Sequence, residues 1–284
     1  MAFEYIPANT FIHKIDPRIK LFYWAVTITL TLFLGTDPIF LGILFISELI
    51  VLNLARVPFK EVISFLKSTI SIVIFYTIIN VLYPPNANTF VNPTTLFYLY
   101  NLPIMFESII YAIGSTIRFL IMLLAIRTVL MITPIRDLIL SLVKFKLPPE
   151  FGLALSIGFA YVPVLTAENR KIKEAQQARG LSFDTKNPIK KFDVLIRRMF
   201  IPSIFNSTRR TSDIAIAIES KGFSHDIANR TYMKELKMNK MDYFIVLVLS
   251  AFLVSGFIIG PFGLKIADTN RTIQIIKKIL SAYF

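Results

Sequence analysis

The chain has 284 residues, of which 55% are hydrophobic and 13% aromatic but only 17% charged. Soluble domains carry about a quarter charged residues and show no long uncharged apolar runs, so a soluble globular enzyme is excluded. The absence of cysteine removes a disulfide framework, a thiolate nucleophile and a cysteine metal site, and two histidines, His13 and His225, are too few for a multi-histidine one. With 31 basic against 18 acidic residues the net charge is +13. The position of that excess relative to the apolar runs sets the topology.

A membrane-spanning helix needs roughly 17–25 mostly apolar residues. Residues 21–36 form the first such run, with Lys20 placed to snorkel toward the headgroups and lengthen it. Basic residues before this run (Lys14, Arg18, Lys20) resemble a signal peptide. However, Leu34-Gly35-Thr36-Asp37-Pro38 offers no small-x-small cleavage site and a second run follows at once. A turn between two helices is the expectation. The second run is 38–55, interrupted by Glu48; a third begins at Ser68; the fourth is 108–132, containing Arg118 and Arg127; the fifth is 243–264.

Basic residues collect in cytoplasmic connections. Residues 83–107 hold no Lys or Arg and read as an outside loop, whereas Arg56, Lys60 and Lys67 place the connection before it inside. Residues 133–240 hold 19 Lys/Arg against 10 Asp/Glu, a net +9, and belong in the cytoplasm with the N-terminus. Five spans then put the tail outside, although Lys265, Arg271, Lys277 and Lys278 disturb that pattern. Residues 151–166 are apolar, but Pro163 interrupts them and Glu168-Asn169-Arg170-Lys171 follows. They are expected to form a helix lying against the spans at the cytoplasmic face. The fold class is an all-α polytopic membrane protein with about five transmembrane helices.

Within the basic block, residues 175–184 align without gaps on residues 217–226. The shared pattern is Ala-x-x-small-basic-Gly-apolar-Ser-x-Asp. Each copy reads as a helix ending: a cation in the last turn, then glycine in the left-handed C′ position. Ser182 and Asp184, like Ser224 and Asp226, suit the turn that follows. Leu165, Ile172 and Arg179 share one helix face, as do Ile214, Ile218 and Lys221. Each helix thus aims an apolar stripe and then a cation in one direction, as a helix-in-groove docking element does. Ordinary helix capping accounts for one such copy, but less readily for two with the same continuation.

Between the copies, Lys190-Lys191, Arg197-Arg198 and Arg209-Arg210 alternate with Phe192, Leu195, Met199 and Ile204. This is a basic amphipathic helix, expected to kink at Pro202 and to lie on anionic inner-leaflet lipid. Nucleic acid is not an expected partner, since no base-stacking aromatics occupy a polar face. No Gly-x-x-x-x-Gly-Lys-Ser/Thr loop occurs, so the chain does not bind ATP through one. Ionisable groups within the runs are Glu48, Arg118 and Arg127, with Glu107 at the outer edge; Arg118 either pairs with Glu48 or faces a helix contact. No nucleophile–base pair or carboxylate cluster suggests catalysis, and no metal site is expected.

Over most of its length the chain resembles EcfT, the transmembrane component of energy-coupling-factor (ECF) ABC transporters, and its cobalt- and nickel-uptake relatives. The resemblance is carried by the stretch from Tyr5-Ile6-Pro7 to Leu21, above all Asp16-Pro17-Arg18, and by Thr133-Pro134, Leu147-Pro148 and Pro163 before Glu168. Ala178-Arg179-Gly180 matches the family's first signature. The second departs from Ala-Arg-Gly: it reads Ser220-Lys221-Gly222, keeping charge and glycine but losing the guanidinium fork.

The resemblance implies a non-catalytic coupling subunit in the cell membrane, with Arg179 and Lys221 at the tips of coupling helices docked on two ABC ATPases. A small substrate-binding membrane subunit would complete the complex. ATP would bind to the ATPases and no cofactor to this chain. The cargo would be a vitamin or a transition-metal ion, the Tyr-Ile-Pro opening leaning toward the form shared among vitamin-specific subunits. The implied organisation is a cytoplasmic segment (1–20), four spans (21–132), a coupling-helix region (133–240), a last span (241–264) and a tail (265–284). The alternatives are a conventional ABC permease with its own substrate path and a membrane scaffold without a transport role.

Overall fold

The computed structural model describes residues 5–8, 10–84, 94–99, 102–181, 192, 194–223, 238–259 and 269–283. The chain forms two compact units, one of residues 1–142 with 236–284 and one of residues 143–235. In the first unit, a short turn α1 (Phe11–Lys14) leads into α2 (Pro17–Phe33), α3 (Pro38–Leu54) and α4 (Phe59–Leu82). A two-stranded antiparallel hairpin, β1 (Thr95–Leu99) and β2 (Leu102–Met105), precedes α5 (Phe106–Ile132) and α6 (Ile135–Lys144). After α7 (Pro149–Ala178) come α8 (Ile201–Ser220), α9 (Lys240–Ile259) and α10 (Thr269–Tyr283). The molecule is an all-α polytopic membrane protein.

Helices α4, α5, α7 and α9 are long and apolar enough to cross a bilayer, and α3 is a shorter apolar helix. At about 1.5 Å per residue, the 27 residues of α5 extend about 40 Å. Helices α2 and α3 each begin with an Asp-Pro pair. The Asp16 carboxylate accepts from the Arg18 amide at 2.9 Å and the Asp37 carboxylate from the Ile39 amide at 3.0 Å. Proline at the first helical position costs nothing there because its missing N–H has no intrahelical acceptor.

Helix α5 is the hub, packing against α2, α3 and α4. Lipid tails are as apolar as leucine, so close packing rather than water exclusion holds such helices together, and small residues permit it. Gly114 on α5 lies against the Thr36 backbone carbonyl, leaving no space for a Cβ, and Gly256 on α9 lies against Leu30 of α2. Val26, Leu30, Leu34, Leu41, Leu44 and Ile121 form one buried cluster; Leu52, Val62, Leu124 and Met131 belong to a second. Across α4 and α5, Tyr76 stacks on Phe119 at 5.0 Å and the hydroxyls of Thr77 and Thr116 bond at 2.8 Å.

Several expectations are corrected. The helix of the first apolar run starts at Pro17, and Lys20 is buried rather than snorkelling: its Nζ donates to the His13 carbonyl at 3.1 Å and the Ile132 carbonyl at 3.2 Å. The Ile132 carbonyl, left open at the end of α5, accepts one of these bonds. Glu48 is fully buried but not joined to Arg118; its carboxylate faces Tyr23 and Thr27 of α2. Lys60 and Lys67 belong to α4 instead of a loop. Residues 83–107 include the hairpin, which the all-helical expectation omitted. Finally, the irregularity near Pro202 is a π-helical turn, Ile196–Phe200, running straight into α8. Pro202 has no N–H for the carbonyl four residues back and its ring crowds that carbonyl, which accounts for a widened turn just before it.

Candidate functional site

The two signature segments end α7 and α8 in the same way. In α7 the C-cap is Arg179, followed by Gly180 at φ 82°. The Gly180 amide donates to the Gln177 carbonyl at 2.9 Å and the Leu181 amide to the Gln176 carbonyl at 3.1 Å. In α8 the C-cap is Lys221, followed by Gly222 at φ 69°, with the Gly222 amide on Glu219 at 2.9 Å and the Phe223 amide on Ile218 at 3.3 Å. Both are Schellman closures with glycine in the left-handed position that L side chains avoid. Around each glycine an added Cβ would meet only open space. The constraint is conformational, not steric crowding.

Ala178, Arg179, Gly180, Ser220, Lys221 and Gly222 are all exposed. Behind them, Leu165 and Ile172 on α7 and Ile214 and Ile218 on α8 are half-buried, so the stripe-then-cation pattern exists on both helices. Ser182, Asp184, Ser224, His225, Asp226 and Lys190-Lys191 lie outside the described residues.

A feature not anticipated joins the two helices. The Glu168 carboxylate on α7 bonds the Arg210 guanidinium on α8 at 2.6 Å, and that guanidinium also sits over the Tyr161 ring at 5.8 Å. Glu168 and Arg210 are separated by 42 residues, the offset that superposes the two signatures. Each tip therefore lies eleven residues beyond the pair, an arm of about 16 Å at helical rise. Next to the pair, Leu165, Asn169, Ser203, Ser207 and Thr211 line a groove between the helices. Extending the alignment of the two copies backwards by seven residues would have set Glu168 opposite Arg210.

The N-terminal motif serves a different end of the chain. Asp16 caps α2 and lies 3.9 Å from the Arg18 Nε. Pro17 opens the helix. Upstream, the Ile6 amide donates to the Met131 carbonyl at 3.0 Å, tying this segment to the end of α5. His13 Nε2 donates to the Ile6 carbonyl at 3.0 Å, which leaves Nδ1 to accept from the Thr10 hydroxyl at 2.6 Å. Tyr5 meets the imidazole edge-on at 6.1 Å. Burial and the Lys20 ammonium hold the His13 pKa below its ordinary value, partly opposed by the Ile6 carbonyl. Asp16, Pro17 and Arg18 thus stand at the junction of α1, α2 and α5. Among the described residues no three His, Cys, Asp or Glu side chains are grouped to hold a metal ion.

Comparison with known proteins identifies relatives over most of the chain. A family model described as cobalt transport protein, CbiQ, matches residues 8–233, a span containing the N-terminal motif, Glu168, Arg210 and both tips. The energy-coupling factor transporter transmembrane protein EcfT of Bacillus subtilis is 30% identical over 268 residues, covering 88% of this chain and 95% of its own. That of Leuconostoc gelidum is 29% identical over 268 residues, covering 91% and 96%, and that of Lactococcus lactis 29% over 251 residues, covering 86% and 91%. With its two matched helix closures and a relationship spanning nearly its whole length, the chain belongs to the EcfT family and is a membrane component of an energy-coupling-factor transporter.

Proposed function

We propose that this chain couples ATP hydrolysis by two cytoplasmic ABC ATPases to uptake of a micronutrient, a vitamin or a transition-metal ion, through a small substrate-binding membrane subunit. The carrying observation is the pair of α-helical arms of equal length, each closed by the same Schellman turn and tipped by an exposed cation. Arg179 and Lys221 each seat in a groove of one ATPase. The apolar stripe behind the tip supplies contact area, and the cation, facing acidic groove residues, sets register and speeds encounter. Arg179 engages a carboxylate with two parallel bonds, whereas Lys221 acts as a point charge.

Nucleotide binds the ATPases, and this chain needs no cofactor. Closure of the ATPases displaces both tips, and the Glu168–Arg210 pair makes the two arms move as one piece. The excess of Lys and Arg in residues 133–240 supports a cytoplasmic location for the arms and for the N-terminus.

Reconstituted complex carrying Arg179→Glu or Lys221→Glu tests the reading, with ATPase co-purification and ATP-driven uptake measured together. Both reversals are expected to reduce ATPase retention and abolish uptake, Lys221→Glu being the milder. Retention and uptake at wild-type levels in both variants would overturn it.

A further inference from the structure

In the second half of α3 stands a carboxyl group with no part in the coupling of the arms. Glu48 is 0% exposed, and neither of its carboxylate oxygens has a hydrogen-bond partner among the described residues. Leu44 and Leu52, four residues to either side on the same face of α3, belong to the two buried clusters. Hydrocarbon therefore encloses the carboxyl on both sides along the helix. The polar groups it faces are Tyr23 and Thr27, one turn apart on α2.

The cations of the surrounding helices are engaged elsewhere. Lys20 is held by the His13 and Ile132 carbonyls at the end of α5. Arg127 of α5 sits over the Phe65 ring of α4 at 5.5 Å, and Arg118 lies near Tyr111, toward the start of α5. Lys277 of α10 pairs with Glu107 in the first turn of α5, and Thr272 of α10 bonds Asp37 at the start of α3. Asp37 is eleven residues from Glu48, about 16 Å at helical rise. Among the described residues Glu48 forms no ion pair, and Tyr23 is the titratable group it faces.

A buried carboxylate is tolerated when a cation or several donors compensate its lost hydration. Glu48 has neither. Its neutral form escapes most of that cost, and it also gains a capability: a carboxylic acid has an O–H to donate, whereas a carboxylate only accepts. Hydroxyls of tyrosine and threonine both accept such a bond.

We infer that Glu48 is a proton-binding site within the spans, holding a neutral carboxylic acid whose O–H donates to a hydroxyl of the Tyr23–Thr27 pair and so links α3 to α2. The site does not depend on how the ATPases are held.

Infrared spectroscopy of the full-length protein, reconstituted in phosphatidylcholine vesicles at neutral pH, tests it. The wild type is expected to show the carbonyl stretch of a protonated carboxylic acid, shifted downward in D2O and absent from Glu48→Gln. Tyr23→Phe or Thr27→Val should move that band to higher frequency, as loss of a hydrogen bond does. Should Glu48→Gln fail to fold, the wild-type band and its response to the two hydroxyl variants carry the same decision. Identical acid-carbonyl spectra in wild type, Glu48→Gln, Tyr23→Phe and Thr27→Val would overturn the proton site. A band lost in Glu48→Gln but unmoved by both hydroxyl variants would overturn the link to α2.

Discussion

Glu168 and Arg210 bond at 2.6 Å while occupying equivalent positions of the internal repeat, so a single ion pair joins α7 and α8 at the same distance from each tip. Arg210 is 46% exposed and Glu168 17%, so water screens the pair and its contribution to stability is about 1 kcal/mol at most. Its importance is geometric. Glu168→Gln or Arg210→Gln is expected to shift the thermal midpoint only slightly yet lower ATP-driven uptake several-fold. The exchanged pair, Glu168→Arg with Arg210→Glu, should recover part of it. A double-mutant cycle on uptake showing no coupling would contradict this role.

Gly180 and Gly222 close the arms at φ 82° and 69° with open space around both. Gly180→Ala and Gly222→Ala therefore cost about 1–2 kcal/mol each in the closing turn through backbone strain alone. Asparagine, which tolerates the left-handed region, should cost less. Fraying of the last turn, followed by amide exchange at Leu181 and Phe223, is the measurement. Equal exchange in the alanine and wild-type proteins would show that the left-handed closure is dispensable.

Gly114 faces the Thr36 carbonyl too closely for a Cβ. Gly114→Ala has to push α5 away from the α2–α3 turn, an overpacking strain of about 1–3 kcal/mol. The expected outcome is a lower thermal midpoint in detergent with no comparable loss at Gly42→Ala, since Gly42 has no neighbour within contact distance and no positive φ.

His13 provides a pH dependence whose sign follows from its lowered pKa. In the docked segment the ring is neutral, donating from Nε2 and accepting at Nδ1. A released segment takes up a proton first, near the ordinary value of about 6.5. The contribution of the Tyr5–His13 junction is thus fully present at higher pH and is lost as pH falls through about 6.5 toward the depressed value. Protection of the Ile6 amide, measured as exchange relative to its intrinsic base-catalysed rate, should fall between about pH 7 and about pH 5 in the wild type, and His13→Gln should flatten that profile. A wild-type profile flat over that range would refute the assignment.

The ends of helices were readable because their determinants are local. A cation followed by glycine announced the closures at Arg179 and Lys221, and Asp-Pro announced α2 and α3. Features set by distant partners were not legible. Lys20 reaches a carbonyl 112 residues away, so its inward course leaves no trace near position 20. Pairing with Glu48 was one of two readings open to Arg118, since both are charged within apolar runs, yet Glu48 faces Tyr23 and Thr27 instead. The hairpin from Thr95 to Met105 lacks clean alternation and carries Pro103, which argues against a strand interior and is tolerated at an edge. The docking of Thr272 on Asp37 joins residues 235 positions apart.

The central claim is that the two arms each hold one ATPase, and crosslinking from the tips tests it most directly. Complexes are prepared with Ala178→Cys or Ser220→Cys, positions exposed beside Arg179 and Lys221, and a short photoreactive thiol reagent is attached. Each tip is expected to crosslink to a nucleotide-binding subunit, with the yield changing between nucleotide-free and ATP-bound states. Crosslinks to neither ATPase from either position, or labelling of both cysteines by an impermeant reagent in intact cells, would contradict the account.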